Sequence, residues 1–254
     1  MKSYSELIQE IYKEINNLRT DPVSFAKRFE NELSNFKNNN AKHRRGAVPI
    51  MTREGQTAAN EALSVLESTS PLEPLHWSKG LSSAAQSHCN DTGSLGIVGH
   101  IGSRENTLQE RLDKCGKWTD CIAEALDYGS VDGFEVVLSF LIDDGLKTRP
   151  HRNALLNSRF RRIGVGMGPH SEYKTVTSVV FAGDFTEKDE FDIPDPPDSG
   201  VSVVPEVENW LEGAIKMTCE IRSETENGVT LKKVKKYWEM GDGSTQITED
   251  TIED

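Results

Sequence analysis

Two runs late in the chain, IGVGMGP at 163–169 and TVTSVVFAGDF at 175–185, alternate and are rich in β-branched residues. Runs of this kind read as two antiparallel strands, joined here near Pro169 and His170. Almost everything before them carries a helical period instead. Leu7, Ile8, Ile11, Ile15 and Leu18 share one face of a first helix over 4–18. Asp21-Pro22 opens a second helix reaching about Leu33, with proline in its first turn. Further helices are predicted over 54–67, from Ser78 or Ser82, over 107–115 and over 132–143, the last closed by a left-handed Gly145. KNNNAKHRRGAVP and the GKWTD segment read as loops. Helices first and strands after argue against a βαβ array. They predict an α+β or three-layer αβα domain.

The composition shifts at DIPDPPDSG, where prolines and aspartates make a stiff linker. Beyond it, Asn227-Gly228 and Asp242-Gly243 are hairpin-turn signals between alternating runs. The expected organisation is a main domain over 1–188, an acidic proline-rich linker over 189–205 and a small C-terminal β-meander or docking tail over 206–254. So short a tail cannot bury a large core by itself, so it is expected to pack on the main domain or on a protein partner.

Charge narrows the function. With 41 acidic and 29 basic residues the net charge is -12, which disfavours nucleic acid as a partner. Arg149, Arg152, Arg159, Arg161 and Arg162 form a local basic patch, read as a solvated face beside a strand. No apolar run approaches the roughly 20 residues of a membrane span. The N-terminal residues lack an apolar signal core. The expectation is an intracellular protein, cytoplasmic or cytoskeleton-associated, or a secreted one if a leader has been removed. The four cysteines, Cys89, Cys115, Cys121 and Cys219, contain no CxxC pair and are expected as free thiols, although Cys115 and Cys121 could close a short loop.

His100, Glu124, Asp143 and His151 stand out, each read as lying beside a helix end or a glycine turn. Two imidazoles and two carboxylates are a common divalent-metal set, for zinc above all. The arginines around His151 favour its neutral form, which takes a metal or a proton; the alternative reading of the same residues is that His151 caps a turn after a helix. Ser103 is the best hydroxyl near His100, but no third group is evident for a nucleophilic triad. His88 and Trp77 read as core residues and His170 as a turn residue.

The series LHWSKGLSSAAQSHCND, GHIGS, AEALDYG, VVLSFLIDDG, HRNALLNSRFRRIGVG and FAGDF resembles the CAP superfamily (SCP domain) of cysteine-rich secretory, antigen-5 and pathogenesis-related-1 proteins. The likeness runs from about residue 4 to 186. HRNALLNSRFRRIGVG is its most specific piece, and the long front segment and IDDG look like the family's eukaryotic microbial variant. The resemblance implies an α+β fold, a three-layer αβα sandwich with a central antiparallel sheet, and a cleft with a His-Glu-Glu-His tetrad able to hold a divalent cation. His100 and His151 fall at its histidines, Glu124 at its first acid and Asp143 at its second, with Asp144 able to substitute. Three positions depart from the family pattern. Ala123-Glu124-Ala125 replaces Gly-Glu-Asn, the second acid is one methylene shorter, and Pro150 stands where glycine is usual. These changes predict a weakly bound zinc or other divalent ion. The function implied is a non-enzymatic binding module, a component of a protein assembly, with sterols and fatty acids among the family's ligands. The alternatives are a zinc-dependent hydrolase or protease and a sterol or lipid carrier.

Overall fold

The computed structural model describes residues 2–36, 40–44, 47–104, 106–189, 214–226, 229–240 and 244–253. Helix α1 (Tyr4–Thr20) opens with a capping box, in which Ser3 and Glu6 satisfy each other's backbone N–H groups. Its apolar stripe puts Leu7, Ile11, Ile15 and Leu18 out of contact with solvent. Asp21 ends α1 and caps α2 (Pro22–Glu32), where Pro22 loses no helical hydrogen bond. Instead of a loop, the polar stretch that follows holds a hairpin, β1 (Ala41–Arg44) and β2 (Ala47–Met51). Cross-strand pairing overrides the weak local propensity there.

Helix α3 (Gln56–Ser68) leads to the two-residue strand β3 (His76–Trp77) and then to α4 (Lys79–Gly93), capped by Ser78. Helix α5 (Leu108–Cys115) runs directly into the long strand β4 (Gly116–Tyr128). The GKWTD segment is therefore the first part of a strand rather than a loop. The pairing of β4 shifts register between Thr119 and Ile122, and Asp120 there has positive φ, which accommodates the turn-like residues. Helices α6 (Gly133–Ile142) and α7 (Pro150–Leu155) precede β5 (Arg162–His170) and β6 (Lys174–Glu187).

The central sheet has the order β3-β5-β6-β4. Its long pairs β5–β6 and β6–β4 are antiparallel, while β3 joins β5 in parallel. Helices α1, α2, α3 and α6 share one apolar core with Ile163, Val165, Met167, Val179 and Phe181 of the sheet. Helices α4 and α5 cover the other face with Val180, Ala182 and Phe185. This is the αβα sandwich. The glycines of IGVGMG allow its tight packing: a Cβ at Gly164 or Gly166 would collide with the backbone of α4.

One buried cation ties the layers together. Arg19 is about 1% exposed, and its guanidinium donates to the carbonyls of Glu73, Leu155, Asn157 and Phe160. Those carbonyls lie in two segments far apart in the chain, which the one guanidinium holds to α1.

A second sheet, β7 (Ala214–Glu226), β8 (Val229–Met240) and β9 (Thr245–Glu253), is an antiparallel meander. The proposed linker, apart from Asp189, and the expected turn residues 227–228 and 242–243 lie outside the described residues. Just after β6, Lys188 donates its backbone N–H to the Cys115 carbonyl and its Nζ to the Asp113 carbonyl. A chain ending after Asp189 is expected to unfold cooperatively in urea with a midpoint close to that of the full chain. An insoluble or non-cooperative product would show that the meander completes the core.

Candidate functional site

The structure brings His100, Glu124, Asp143 and His151 together at the β4 edge of the sheet. The two imidazole centroids are 6.5 Å apart. His100 lies on the loop after α4, beside a left-handed Gly99. Asp143 ends α6 and His151 lies in the first turn of α7. Glu124 departs from expectation. It sits in the middle of β4, opposite Val180, not at a turn.

Each imidazole is held by a buried carboxylate. His100 Nδ1 is 2.9 Å from Glu124 Oε2, and His151 Nδ1 is 2.8 Å from Asp143 Oδ1. A neutral imidazole beside a carboxylate carries its proton on the nitrogen facing it, so Nε2 is left with the lone pair. The two rings differ in freedom. The His100 side chain is 52% exposed and that of His151 18%. His151 also packs against Phe140, at 5.6 Å between centroids.

Glu124 is the most heavily engaged acid. Its side chain is 2% exposed, and its Oε1 accepts from Arg111 Nη2 at 2.6 Å and from Ser178 Oγ at 2.8 Å. Burial alone would raise its carboxyl. The His100 hydrogen bond, the Arg111 charge, the nearby His88 and the Ser178 hydroxyl outweigh burial and hold it below the usual value. Removing either member of so buried a pair typically costs about 3–5 kcal/mol, because the other charge is left uncompensated.

Asp143 adopts a left-handed conformation, φ 53 and ψ 47, and is itself the C-terminal cap of α6, the role expected of Gly145. Its Oδ2 accepts the backbone N–H of His151 at 2.8 Å and that of Arg152 at 3.3 Å. Asp144 points elsewhere and accepts the N–H groups of Arg53 and Glu54, ahead of α3. Asp143 is therefore the acid at the cleft.

Arg149 and Arg152 correct the picture of a solvated basic face. Both are buried. Arg149 pairs with Glu54 and Glu61, and Arg152 pairs with Glu61 and donates to the carbonyls of Leu141 and Ile142. These bonds lock α7, and His151 with it, to α3 and α6. Arg159 and Arg162 do lie toward solvent, paired with Asp120 and Asp184.

Ser103 is turned to Asp91, which accepts both its hydroxyl and its backbone N–H. Cys89, Cys115 and Cys121 are free thiols. Burial pushes Cys89 up to about 12, which removes it as a nucleophile. His88 is fully buried, Trp77 packs edge-on against Tyr12, and His170 receives the N–H groups of Glu172 and Tyr173 in the turn between β5 and β6. Arg111, Ser178 and the two glutamates at α3 were not singled out from the sequence, since no local spacing connects them to the histidines.

The donor set can be tested against a metal. Two imidazole nitrogens at about 2.1 Å from one ion at a tetrahedral angle place their ring centroids about 5 Å apart. The observed 6.5 Å requires a modest inward swing, for which the exposed His100 has room. Both carboxylates already hold imidazoles. Among the described residues no group of three or more His, Cys, Asp or Glu side chains is placed to hold a metal ion. An ion at this place would meet at most the two histidine nitrogens, since both carboxylates are engaged by the imidazoles.

The αβα sandwich and the two carboxylate-held histidines agree with the SCP-domain resemblance of the sequence. The chain belongs to CAP, the cysteine-rich secretory protein family, whose model matches residues 12–185. A curated relative, the "Uncharacterized membrane protein YlbC" of Bacillus subtilis (strain 168), is 29% identical over 96 residues, covering 38% of this chain and 26% of the relative. The chain thus spans about a quarter of that protein's length. Among solved structures, an extracellular SCP-domain protein of Bacillus anthracis str. Ames is 25% identical with a TM-score of 0.36, covering 44% of this chain and 34% of that one. An outer surface protein of Borrelia burgdorferi is 19% identical with a TM-score of 0.38, covering 52% and 89%. No helix among the described residues is long and apolar enough to cross a membrane.

The ion pairs around α7 predict an acid response. Hydrogen bonds from Arg149, with the charges of Arg149 and Arg152, hold Glu54 and Glu61 at about 2 against an ordinary 4.5. The folded state then binds fewer protons than the unfolded one between these values, so their contribution is complete above pH 4.5 and is lost as pH falls toward 2. Urea unfolding across this range should show stability falling on acidification, and Glu61→Gln should flatten that fall. An unchanged acid limb in the variant would contradict the assignment.

Proposed function

We propose that this chain is a non-catalytic interaction module, a component of a protein assembly, whose cleft binds a divalent cation through His100 and His151. The observation that carries this reading is the pairing of each imidazole Nδ1 with a buried carboxylate, which reserves Nε2 of both rings for a ligand. Glu124 and Asp143 orient the rings. Zinc suits two imidazoles, and with water completing its shell it would be held weakly. A bound cation would polarise an oxygen donor from a partner, which gives the cleft a recognition role without turnover.

Hydrolysis needs a free base or nucleophile beside the ion. Here both acids are committed to histidines, Ser103 is committed to Asp91, and the Cys89 thiol is buried. This favours binding over the hydrolase alternative. A cavity of about 130 Å³ lies beside Phe36, Met51 and Ile142. The C-terminal meander is the segment assigned to protein docking. The family's description is of secretory proteins, which favours a secreted protein over the intracellular one expected from the N-terminal residues.

Calorimetric titration with zinc chloride is expected to give one site of micromolar or weaker affinity. Binding should be lost in His100→Ala and His151→Ala and should weaken on acidification, because a ligating imidazole must be neutral. Sub-nanomolar zinc together with hydrolysis of peptide or ester substrates that His151→Ala abolishes would overturn the non-catalytic reading.

A further inference from the structure

His100 sits on a loop, yet the backbone on both sides of its amide is fixed by side chains from three different elements. Gly99 donates its N–H to Tyr128 Oη at 2.9 Å, and its carbonyl lies 3.0 Å from His88 Nε2. The carbonyl of His100 itself receives Arg111 Nη1 at 3.2 Å. Tyr128 comes from the end of β4, His88 from the middle of α4 and Arg111 from α5. The peptide between Gly99 and His100 is thus held at the His88 hydrogen bond.

His88 is an unusual choice for that place. It has no solvent exposure, and its Nδ1 finds no hydrogen-bond partner among the described residues. A carbonyl only accepts, so Nε2 carries the proton toward Gly99, and burial disfavours a second proton on Nδ1, which is left a bare acceptor. Burial, with Arg111 and His100 nearby, disfavours its protonated form, against the opposing pull of Glu124 and the Gly99 carbonyl. An apolar side chain would fill the same space without an unsatisfied atom. The one thing an apolar residue could not supply is the bond to Gly99. Gly99 itself has φ 112, a conformation that only glycine adopts freely, and open space around the position of a Cβ, so no neighbouring side chain packs against it there.

We propose that His88 is a positioning residue for the cleft: through the Gly99 carbonyl it sets the place of the His100 imidazole against Glu124 and His151. The inference rests on the reading of the cleft as a two-histidine cation site, but its positional part holds without a metal. His88 touches no ligand. Its effect passes through one peptide unit.

The test compares His88→Leu, which removes the donor and the unsatisfied atom together, with His88→Gln, whose side-chain amide can still donate to Gly99. Two quantities are read on each full-length protein: the NMR titration curve of the His100 ring proton without metal, and zinc affinity by calorimetry. His88→Leu is expected to displace the His100 curve and to weaken zinc about 10- to 100-fold, the usual effect of losing a residue that orients a ligand. His88→Gln is expected to restore both to near wild type, an outcome that a purely packing role would not give. Should His88→Leu fail to fold, His88→Asn, whose shorter amide cannot reach the Gly99 carbonyl, takes its place and is expected to displace the curve in the same way. An unmoved His100 curve in the folded variants overturns the proposal. Zinc binding absent from the wild type, with the His100 curve still displaced, overturns the cation reading and leaves the positioning role standing.

Discussion

The Asp143 carboxylate is the interaction on which the cleft depends. Its backbone turns left-handed, which Asp and Asn tolerate better than most residues, and this stops α6. The same carboxylate then accepts the first N–H groups of α7 and the His151 imidazole. One side chain therefore ends one helix, starts the next and points the histidine. The short helix it starts has few intrinsic means of standing alone. Arg149 and Arg152 supply the rest by tying α7 to α3, and Arg149 also donates to the Asp143 carbonyl.

The other half of the cleft is built differently. Glu124 projects from the middle of a strand, and its buried charge is answered by Arg111 from a neighbouring helix. His100 rests on this pair at the end of a loop and stays half in solvent. A packed histidine faces a more exposed one across 6.5 Å.

Much of the fold was legible in the chain. The stripe from Leu7 to Leu18, the Asp21-Pro22 junction and the alternating runs of β5 and β6 carry their structure in local spacing, and each appears as read. The hairpin at 41–51 and the first part of β4 were misread because strand pairing, not composition, decides them. The four polar residues of the cleft were legible only through resemblance to a family, since their spacings form no motif. What holds them was not legible. Arg152 and Glu61 are ninety-one positions apart and meet only because α7 packs on α3. Arg111 looks like an ordinary helix residue until the fold sets it against Glu124.

The tautomer of His151 is the most direct readout of how the cleft is prepared. Nitrogen-15 shifts of the imidazoles, recorded on histidine-labelled, metal-free protein at alkaline pH, report which ring nitrogen carries the proton. Protonation at Nδ1 is expected in the wild type, because Asp143 accepts there. Asp143→Asn keeps a left-handed-tolerant residue and an acceptor for the α7 N–H groups, but its amide can donate to Nδ1, so the proton should move to Nε2. The same tautomer in both proteins, or an Nε2–H form in the wild type, would contradict the claim that Asp143 readies His151 for a ligand.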